Sequence, residues 1–225
     1  MKLCLFDLDH TLLRLRLDPI PVYAEVISQH GFEVDFNELE RAYMESWDLY
    51  LTRGFEFPTD SEAYLHCAGH TLRLVGIEQD NARIAKVIMR RFEESKSVDA
   101  YGDAIATIKE IRACGLRIGI ATGRWHDPSG DLEMVGLSEY LDVVYFSGMF
   151  GTQKDAPDYW MRLLEREGLA AGEVVLIDDN APAVATARAA GITAFRIERP
   201  DSPIPTPDPV DLTDLHALPE MLESL

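Results

Sequence analysis

Five short apolar runs constrain this chain more than any other feature: LCLF (residues 3–6), LRIGIAT (116–122), VVYF (143–146), VVLI (174–177) and TAFRI (193–197). Each is short for a helix and is bounded at once by polar or turn-forming residues, the pattern of a strand buried on both faces. Helical stretches separate the later runs: Ala104 to Cys114, closed by Gly115, then Asp158 to Glu167 and Ala181 to Ala190. Strands that alternate with helices build a parallel sheet, and LCLF belongs to that sheet although a long insertion follows it. In an open parallel sheet, ligands bind beyond the carboxyl ends of the strands, where the topology reverses. Polar groups stand at those ends here: Asp7 and Asp9 after LCLF, Thr122 closing RIGIAT, Lys154 downstream of VVYF, and Asp178 with Asp179 after VVLI.

The insertion, residues 19–97, has helical periodicity and no convincing strand. Between Asp35 and Leu51 the residues Phe36, Leu39, Tyr43, Trp47 and Tyr50 recur at three- and four-residue steps, and Asp35 with Glu38 resembles a capping box. A second helix is expected from Asp60 to Val75, stopped by Gly76. A third, Asn81 to Glu94, carries Ile84, Val87, Ile88 and Phe92 on one face and basic residues on the other. Such stripes are ordinarily core. Residues 1–18 and 98–225 are therefore expected to form one domain, and 19–97 an inserted helical one. Five prolines between Pro200 and Pro209 predict an extended tether, followed by a short amphipathic helix from Asp211 to Leu225 that packs back on the domain.

With 225 residues and 47% hydrophobic content, the chain can bury a full core. No apolar run approaches the ~20 residues of a membrane span. Asp7 and Asp9 interrupt the N-terminal apolar stretch that a signal peptide needs, so a cytoplasmic location is expected. Cys4, Cys67 and Cys114 are odd in number and unpatterned, which suits neither a disulfide framework nor a zinc site, and they are read as core packing. Lys and Arg total 21 against 39 Asp and Glu, a net charge of -18 that repels phosphate backbones and anionic membranes. Nucleic acid and membrane are not expected partners. A small anionic substrate is, provided a local cation or a few basic groups reverse the field inside the site. Monomer and homodimer both remain open.

The stretch LFDLDHTL sets two carboxylates, Asp7 and Asp9, one residue apart, with Thr11 at the same spacing beyond. If extended backbone continues past Phe6, these three side chains point one way, and His10 points the other as a packing or spacer residue. Like charges that close repel unless a cation sits between them, one stays protonated, or both lie in solvent. A wet acidic turn meets the last condition and a metal site the first.

In their order and spacing, LFDLDHTL, IATGR, QKDAPDYW and VVLIDDN resemble the four motifs of the haloacid dehalogenase (HAD) superfamily of phosphohydrolases. The resemblance covers about residues 1–11 and 101–197. It implies an α/β fold with a Rossmann-like parallel sheet core, Mg2+ as cofactor and an aspartyl-phosphate intermediate. It also matches residues 19–97 to a C1-type helical cap that closes over the site. The family usually has Lys-Pro-Asp-Pro where this chain has Lys154, Asp155, Ala156 and Pro157, and the segment WHDPSGD after the second motif is atypical. A phosphatase acting on a small phosphorylated metabolite is the expected activity. A phosphomutase or phosphonate-cleaving relative shares the core, and a catalytically silent module would use the same acidic cleft to hold a metal or partner. Asp9 speaks against a dehalogenase, whose reaction needs no second carboxylate acid.

Phosphate monoesters hydrolyse very slowly in water, so catalysis has to place a nucleophile in line with phosphorus and neutralise the charge on its oxygens. Asp7 is the candidate nucleophile. Asp9 is the candidate acid for the leaving alkoxide and then the base for the water that hydrolyses the aspartyl phosphate. Mg2+ is expected on the Asp7 carboxylate, the Asp9 backbone carbonyl and a carboxylate of the Asp178–Asp179 pair, where the resemblance favours Asp179 and leaves Asp178 behind it. Thr122 and the Gly123 amide are read as donors to the phosphoryl group, and Lys154 as its cation and the group that keeps Asp7 ionised. Plainer readings exist: Thr122 as a helix N-cap, Lys154 as an exposed lysine, Asp178 and Asp179 as a cap for the helix from Ala181. Arg124 and His126 read as surface residues, although a cation there can meet a substrate carboxylate or second phosphate. Arg14 and Arg16 read as solvated linker arginines.

Overall fold

Strand β1 (Leu3–Phe6) opens the chain, followed by β2 (Leu13–Leu15) and helices α1 (Pro19–Gln29), α2 (Phe36–Arg53), α3 (Asp60–Leu74) and α4 (Asn81–Glu94). Then come β3 (Val98–Ala100), α5 (Ala104–Ala113), β4 (Arg117–Thr122), α6 (Ser129–Met134), β5 (Val143–Phe146), α7 (Ser147–Phe150), α8 (Pro157–Glu167), β6 (Val174–Asp178), α9 (Ala181–Ala189), β7 (Thr193–Arg196) and α10 (Leu218–Glu223). This computed structural model describes residues 1–95, 98–201 and 209–224. The elements fall into two units, Met1–Arg14 with Val98–Leu225, and Leu15–Ser97.

The first unit is an α/β fold around a five-stranded sheet in the order β5-β4-β1-β6-β7, parallel throughout. Strand β1 is central, with Phe6 in register with Ile120 on one side and Ile177 on the other. Because LCLF is apolar at every position, alternate residues serve opposite faces. Cys4 and Phe6 join Ile108 and Ile111 of α5, whereas Leu3 and Leu5 join Tyr159 and Trp160 of α8. All four strand side chains are fully buried, and each large one contributes about 1.5–3 kcal/mol by leaving water. Gly119 of β4 sets the packing beside them: a Cβ there would lie 2.5 Å from Val143 Cγ2 and 2.9 Å from Leu5 Cδ2, so a side chain would force the strands' neighbours apart.

The second unit is helical. The starts of α1, α2 and α3 are set by caps: the side chains of Asp18, Asp35 and Thr59 accept the N–H groups of Ile20, Glu38 and Glu62 at 3.0, 3.0 and 3.2 Å. Helix α3 ends at Leu74 and is followed by Gly76 at φ +81°, as α5 is followed by Gly115 at +87°, left-handed positions where a missing Cβ removes the strain. Tyr23, Val26 and Ile27 of α1, Leu39 of α2, Leu72 of α3 and Ile84 and Ile88 of α4 make its core.

Several expectations are corrected. Extended backbone does not persist past Phe6: the N–H groups of Leu12 and Leu13 both return to the Leu8 carbonyl, at 3.0 and 2.8 Å, and His10 turns at φ +58°. The alternation that aligned Asp7, Asp9 and Thr11 therefore fails, and Thr11 is fully buried. The last segment is helical only over Leu218–Glu223. Before it, the Asp211 carboxylate accepts the Arg196 N–H at 2.7 Å and Leu212 bridges to Ile197, so this stretch extends the sheet's hydrogen bonding instead of coiling. Cys4 and Cys67 are buried as expected, but Cys114, just past α5, is exposed. Most of the expected tether, residues 202–208, lies outside the described residues. Among the described residues, no helix is long and apolar enough to cross a membrane.

Candidate active site

Strands β4, β1 and β6 are parallel neighbours, with Phe6 in register with Ile120 and Ile177, and this brings Thr122, Asp7 and Asp178 to one edge of the sheet. The Asp7 N–H donates to the Ile177 carbonyl at 2.8 Å, so the ladder itself fixes the carboxylate's base. Lys154, between α7 and α8, reaches the same edge. Its ammonium bonds to Asp7 Oδ1 and lies 2.8 Å from Asp178 Oδ2. At 7% exposure it is no surface lysine. Thr122 is buried, and its hydroxyl accepts the Arg124 N–H at 3.3 Å; the next helix begins only at Ser129, so Thr122 caps none. At Gly123 a Cβ would lie 3.1 Å from Gln153 Oε1 and 3.7 Å from Lys154 Cε, on the lysine's own approach to the loop.

The cap of α9 is Asn180, whose Oδ1 accepts the Ala183 N–H at 2.9 Å. Both preceding carboxylates are thereby released from capping. Asp178 takes the Asn180 N–H on Oδ1 at 2.8 Å and Lys154 on Oδ2. The Asp179 carboxylate has no hydrogen bond or ion pair among the described residues.

Asp9 does not join this group. Its carboxylate turns to Arg124, whose Nε and Nη2 donate to Asp9 Oδ2 and Oδ1 at 2.8 and 2.6 Å, while Nη1 donates to Asp131 of α6 at 2.5 Å. The Arg124 side chain is only 11% exposed, so its reading as a surface residue is corrected. Nothing in the sequence announced the pairing, because the partners are 115 residues apart. His126 is half-buried and engaged, not a free surface group. Arg14 is exposed and faces a half-buried Asp99 at 3.7 Å, as a solvated linker residue can, and Arg16 is exposed.

Asp7, Asp178 and Asp179 each bring a carboxylate oxygen within 4.8 Å of the other two. Burial first, and then the neighbouring negative charge, push all three carboxyls above their ordinary range despite Lys154, Asp178 to about 7. Burial acts against the Lys154 ammonium, but the charges of Asp178 and Asp7 outweigh it and keep the group protonated. Asp9 goes the other way: burial pushes its carboxyl up, and the Arg124 charge and hydrogen bonds override this and hold it below the usual carboxylate range. Fully ionised, three carboxylates against one ammonium would carry an excess of two negative charges, which is the charge of one divalent cation. An all-oxygen donor set suits a hard cation, and Asp179 has an oxygen pair with no donor of its own. The cluster can hold a metal ion.

The loop that carries Asp9 is held from beneath by a second ion pair. Arg199 donates to the Thr11 carbonyl at 2.7 Å and to both oxygens of Asp103 at 2.7 and 3.0 Å, lies 4.1 Å from the centre of the Tyr101 ring, and is almost fully buried. Asp103 also accepts the Leu215 N–H at 2.8 Å, which ties the C-terminal segment to the same point.

A family model described as haloacid dehalogenase-like hydrolase matches residues 1–191. The chain is 28% identical over 218 residues to the human haloacid dehalogenase-like hydrolase domain-containing protein 3, across 90% of this chain and 84% of that protein. It is 26% identical over 203 residues to a phosphoglycolate phosphatase of Rhodospirillum rubrum, across 85% of this chain and 77% of the relative. Among solved structures it is similar to a defluorinating L-2-haloacid dehalogenase, with a TM-score of 0.72 and 23% identity over 99% of this chain and 95% of that one. A HAD phosphatase from Thermococcus onnurineus gives 0.62 and 21%, over 99% and 98%. At these identities the structural likeness shows the fold alone.

Proposed function

The chain belongs to the haloacid dehalogenase-like hydrolase family, and from that premise we propose that it is a Mg2+-dependent phosphatase of a small phosphorylated metabolite, acting through an aspartyl phosphate on Asp7. The observation that carries this reading is the charge pattern at the ends of β1 and β6: one buried ammonium shared by two buried carboxylates, Asp7 and Asp178, beside a third, Asp179, that no protein group neutralises. Relatives named as phosphatases support the reaction class.

Asp7 and Asp179 would hold Mg2+ through their carboxylates and Asp9 through its backbone carbonyl, with Asp178 behind them on the resemblance, its Oδ1 bonded to the Asn180 N–H and its Oδ2 paired with Lys154. When bound, the ion supplies positive charge to the phosphoryl oxygens. The chain's own groups do the rest. An Asp7 carboxylate oxygen forms a bond to phosphorus as the ester P–O bond breaks, and the departing alkoxide takes a proton from Asp9. Water then attacks the phosphorus of the aspartyl phosphate and gives a proton to Asp9. The bond between phosphorus and the Asp7 oxygen breaks, which returns the free carboxylate and releases inorganic phosphate. Lys154 and the Thr122 hydroxyl, with the Gly123 amide, bind the phosphoryl oxygens throughout. On the resemblance, residues 19–97 are the cap that selects the leaving group, and substitutions there are expected to reorder substrate preference.

Turnover of an aryl phosphate with and without Mg2+ tests the proposal. Metal-dependent release of inorganic phosphate is the expected outcome. Metal binding with no release would favour a silent binding module, and transfer of the phosphoryl group to a sugar phosphate in place of water would favour a mutase. A screen of phosphorylated metabolites then identifies the leaving group.

A further inference from the structure

Arg124 is engaged more completely than a loop staple requires. The backbone on both sides of the Asp9 contact is already fixed. In the loop after β1, the His10 N–H donates to the Leu13 carbonyl at 2.7 Å, and the Leu12 and Leu13 N–H groups return to Leu8. In the loop after β4, the Arg124 N–H is held by the Thr122 hydroxyl and the Arg124 carbonyl accepts the Ser147 N–H at 2.8 Å. Neither loop depends on the guanidinium for its course. The Asp9 side chain does: its carboxylate has no other hydrogen-bond donor among the described residues.

The two bonds to Asp9 run from Nε and Nη2 to separate carboxylate oxygens, a side-on fork that fixes the plane of the carboxylate as well as its position. A lysine at this place would supply charge without that plane. The fork is itself oriented, because Asp131 holds Nη1 from the far side. The Asp9 side chain keeps 35% exposure, so it is held in place while remaining accessible to a reacting group.

We infer that Arg124 is a positioning residue for the acid and base carboxylate of Asp9, with Asp131 orienting Arg124 in turn. The inference rests on the phosphatase reading above. In that reaction Asp9 moves one proton to the leaving alkoxide and takes one from water, and a carboxylate free to rotate about its side-chain bonds does both poorly. Arg124 touches no substrate in this role.

The test is single-turnover and steady-state kinetics of Arg124→Lys and Arg124→Ala with an alkyl and an aryl phosphate. The alkyl ester needs the proton for its leaving group and the aryl ester scarcely does. Misplacement of a catalytic group by about an ångström costs on the order of 100-fold. The expected result is a loss of about that size in the alkyl formation rate for both variants, with the aryl formation rate changed far less and KM unchanged. Millimolar guanidinium should restore part of the alkyl rate to Arg124→Ala, and Asp131→Asn should show the same pattern more weakly. Equal losses for the two esters would overturn the inference, as would a raised KM at constant kcat, which would make Arg124 a substrate ligand. An Arg124→Lys protein that does not fold would also overturn it, since that outcome means the pair serves stability. Wild-type protein that hydrolyses neither ester would instead overturn the phosphatase reading.

Discussion

Two of the buried ion clusters in the sheet unit, at Arg199 and at Lys154, are built oppositely. At Arg199, one guanidinium meets one carboxylate, and the Asp103 oxygens receive two arginine bonds and a backbone N–H. Burial raises the Asp103 carboxyl, but those bonds outweigh it and hold the group below its ordinary range. At Lys154, one ammonium faces three carboxylates, and the carboxyls are pushed up. A buried pair that the protein satisfies from its own groups serves the fold. A cluster left with excess charge weakens the fold until a ligand of the opposite sign arrives, and that marks it as a site.

The widest separation between the clusters is expected from carboxamide substitutions. Asp7→Asn should lower turnover by about four orders of magnitude or more, as loss of a covalent nucleophile does. In metal-free buffer it should not lower the unfolding midpoint, because it removes one of the repelling charges. Asp103→Asn should do the reverse: it strands a buried guanidinium, at a cost of about 3–5 kcal/mol by denaturant titration. If both variants lost stability alike, the contrast would fail.

Acid should sharpen it further. The folded pKa of Asp103 lies below its unfolded value of about 3.9. Its contribution is therefore present in full above that range and is lost as pH falls through the folded pKa. The stability gap between wild type and Asp103→Asn should narrow on acidification, and a gap that widened would reverse the assignment.

Mg2+ comes next in size. At about 100 times its dissociation constant it should stabilise wild-type protein by about 2.7 kcal/mol, keep that effect in Asp103→Asn, and lose most of it in Asp179→Ala. An equal effect in all three proteins would mean that the ion binds elsewhere. The smallest change is expected at Arg14, whose pair with Asp99 is exposed and 3.7 Å long. Arg14→Ala should shift stability by less than about 1 kcal/mol.

What the sequence shows of this arrangement follows the range of the interactions. The apolar runs LCLF, RIGIAT and VVLID give the strands, and the polar residue at each end gives Asp7, Thr122 and Asp178, because strand burial and strand ends are local properties. Lys154 is legible only through the motif spacing, since its two partners come from separate strands. Arg124 is misread because its environment is built by Asp9 and Asp131, one of them in a distant loop. The turn at His10 escapes because a non-glycine residue at positive φ leaves no local mark, and extrapolating the strand through it misplaces Thr11. The C-terminal segment is overextended as a helix because leucines at helical spacing, Leu212, Leu215 and Leu218, are buried through the pairing near Ile197 and the bond from Leu215 to Asp103 instead.

The central claim is that the uncompensated cluster exists to carry a phosphoryl group on Asp7. Its most direct test is to quench the enzyme in acid during turnover of an aryl phosphate with Mg2+, reduce any acyl phosphate with borohydride, and map the peptides by mass. The label should fall on the peptide that begins MKLCLFDLD, at residue 7, and should vanish in Asp7→Asn. Label on another residue, or label undiminished in Asp7→Asn, would contradict the account.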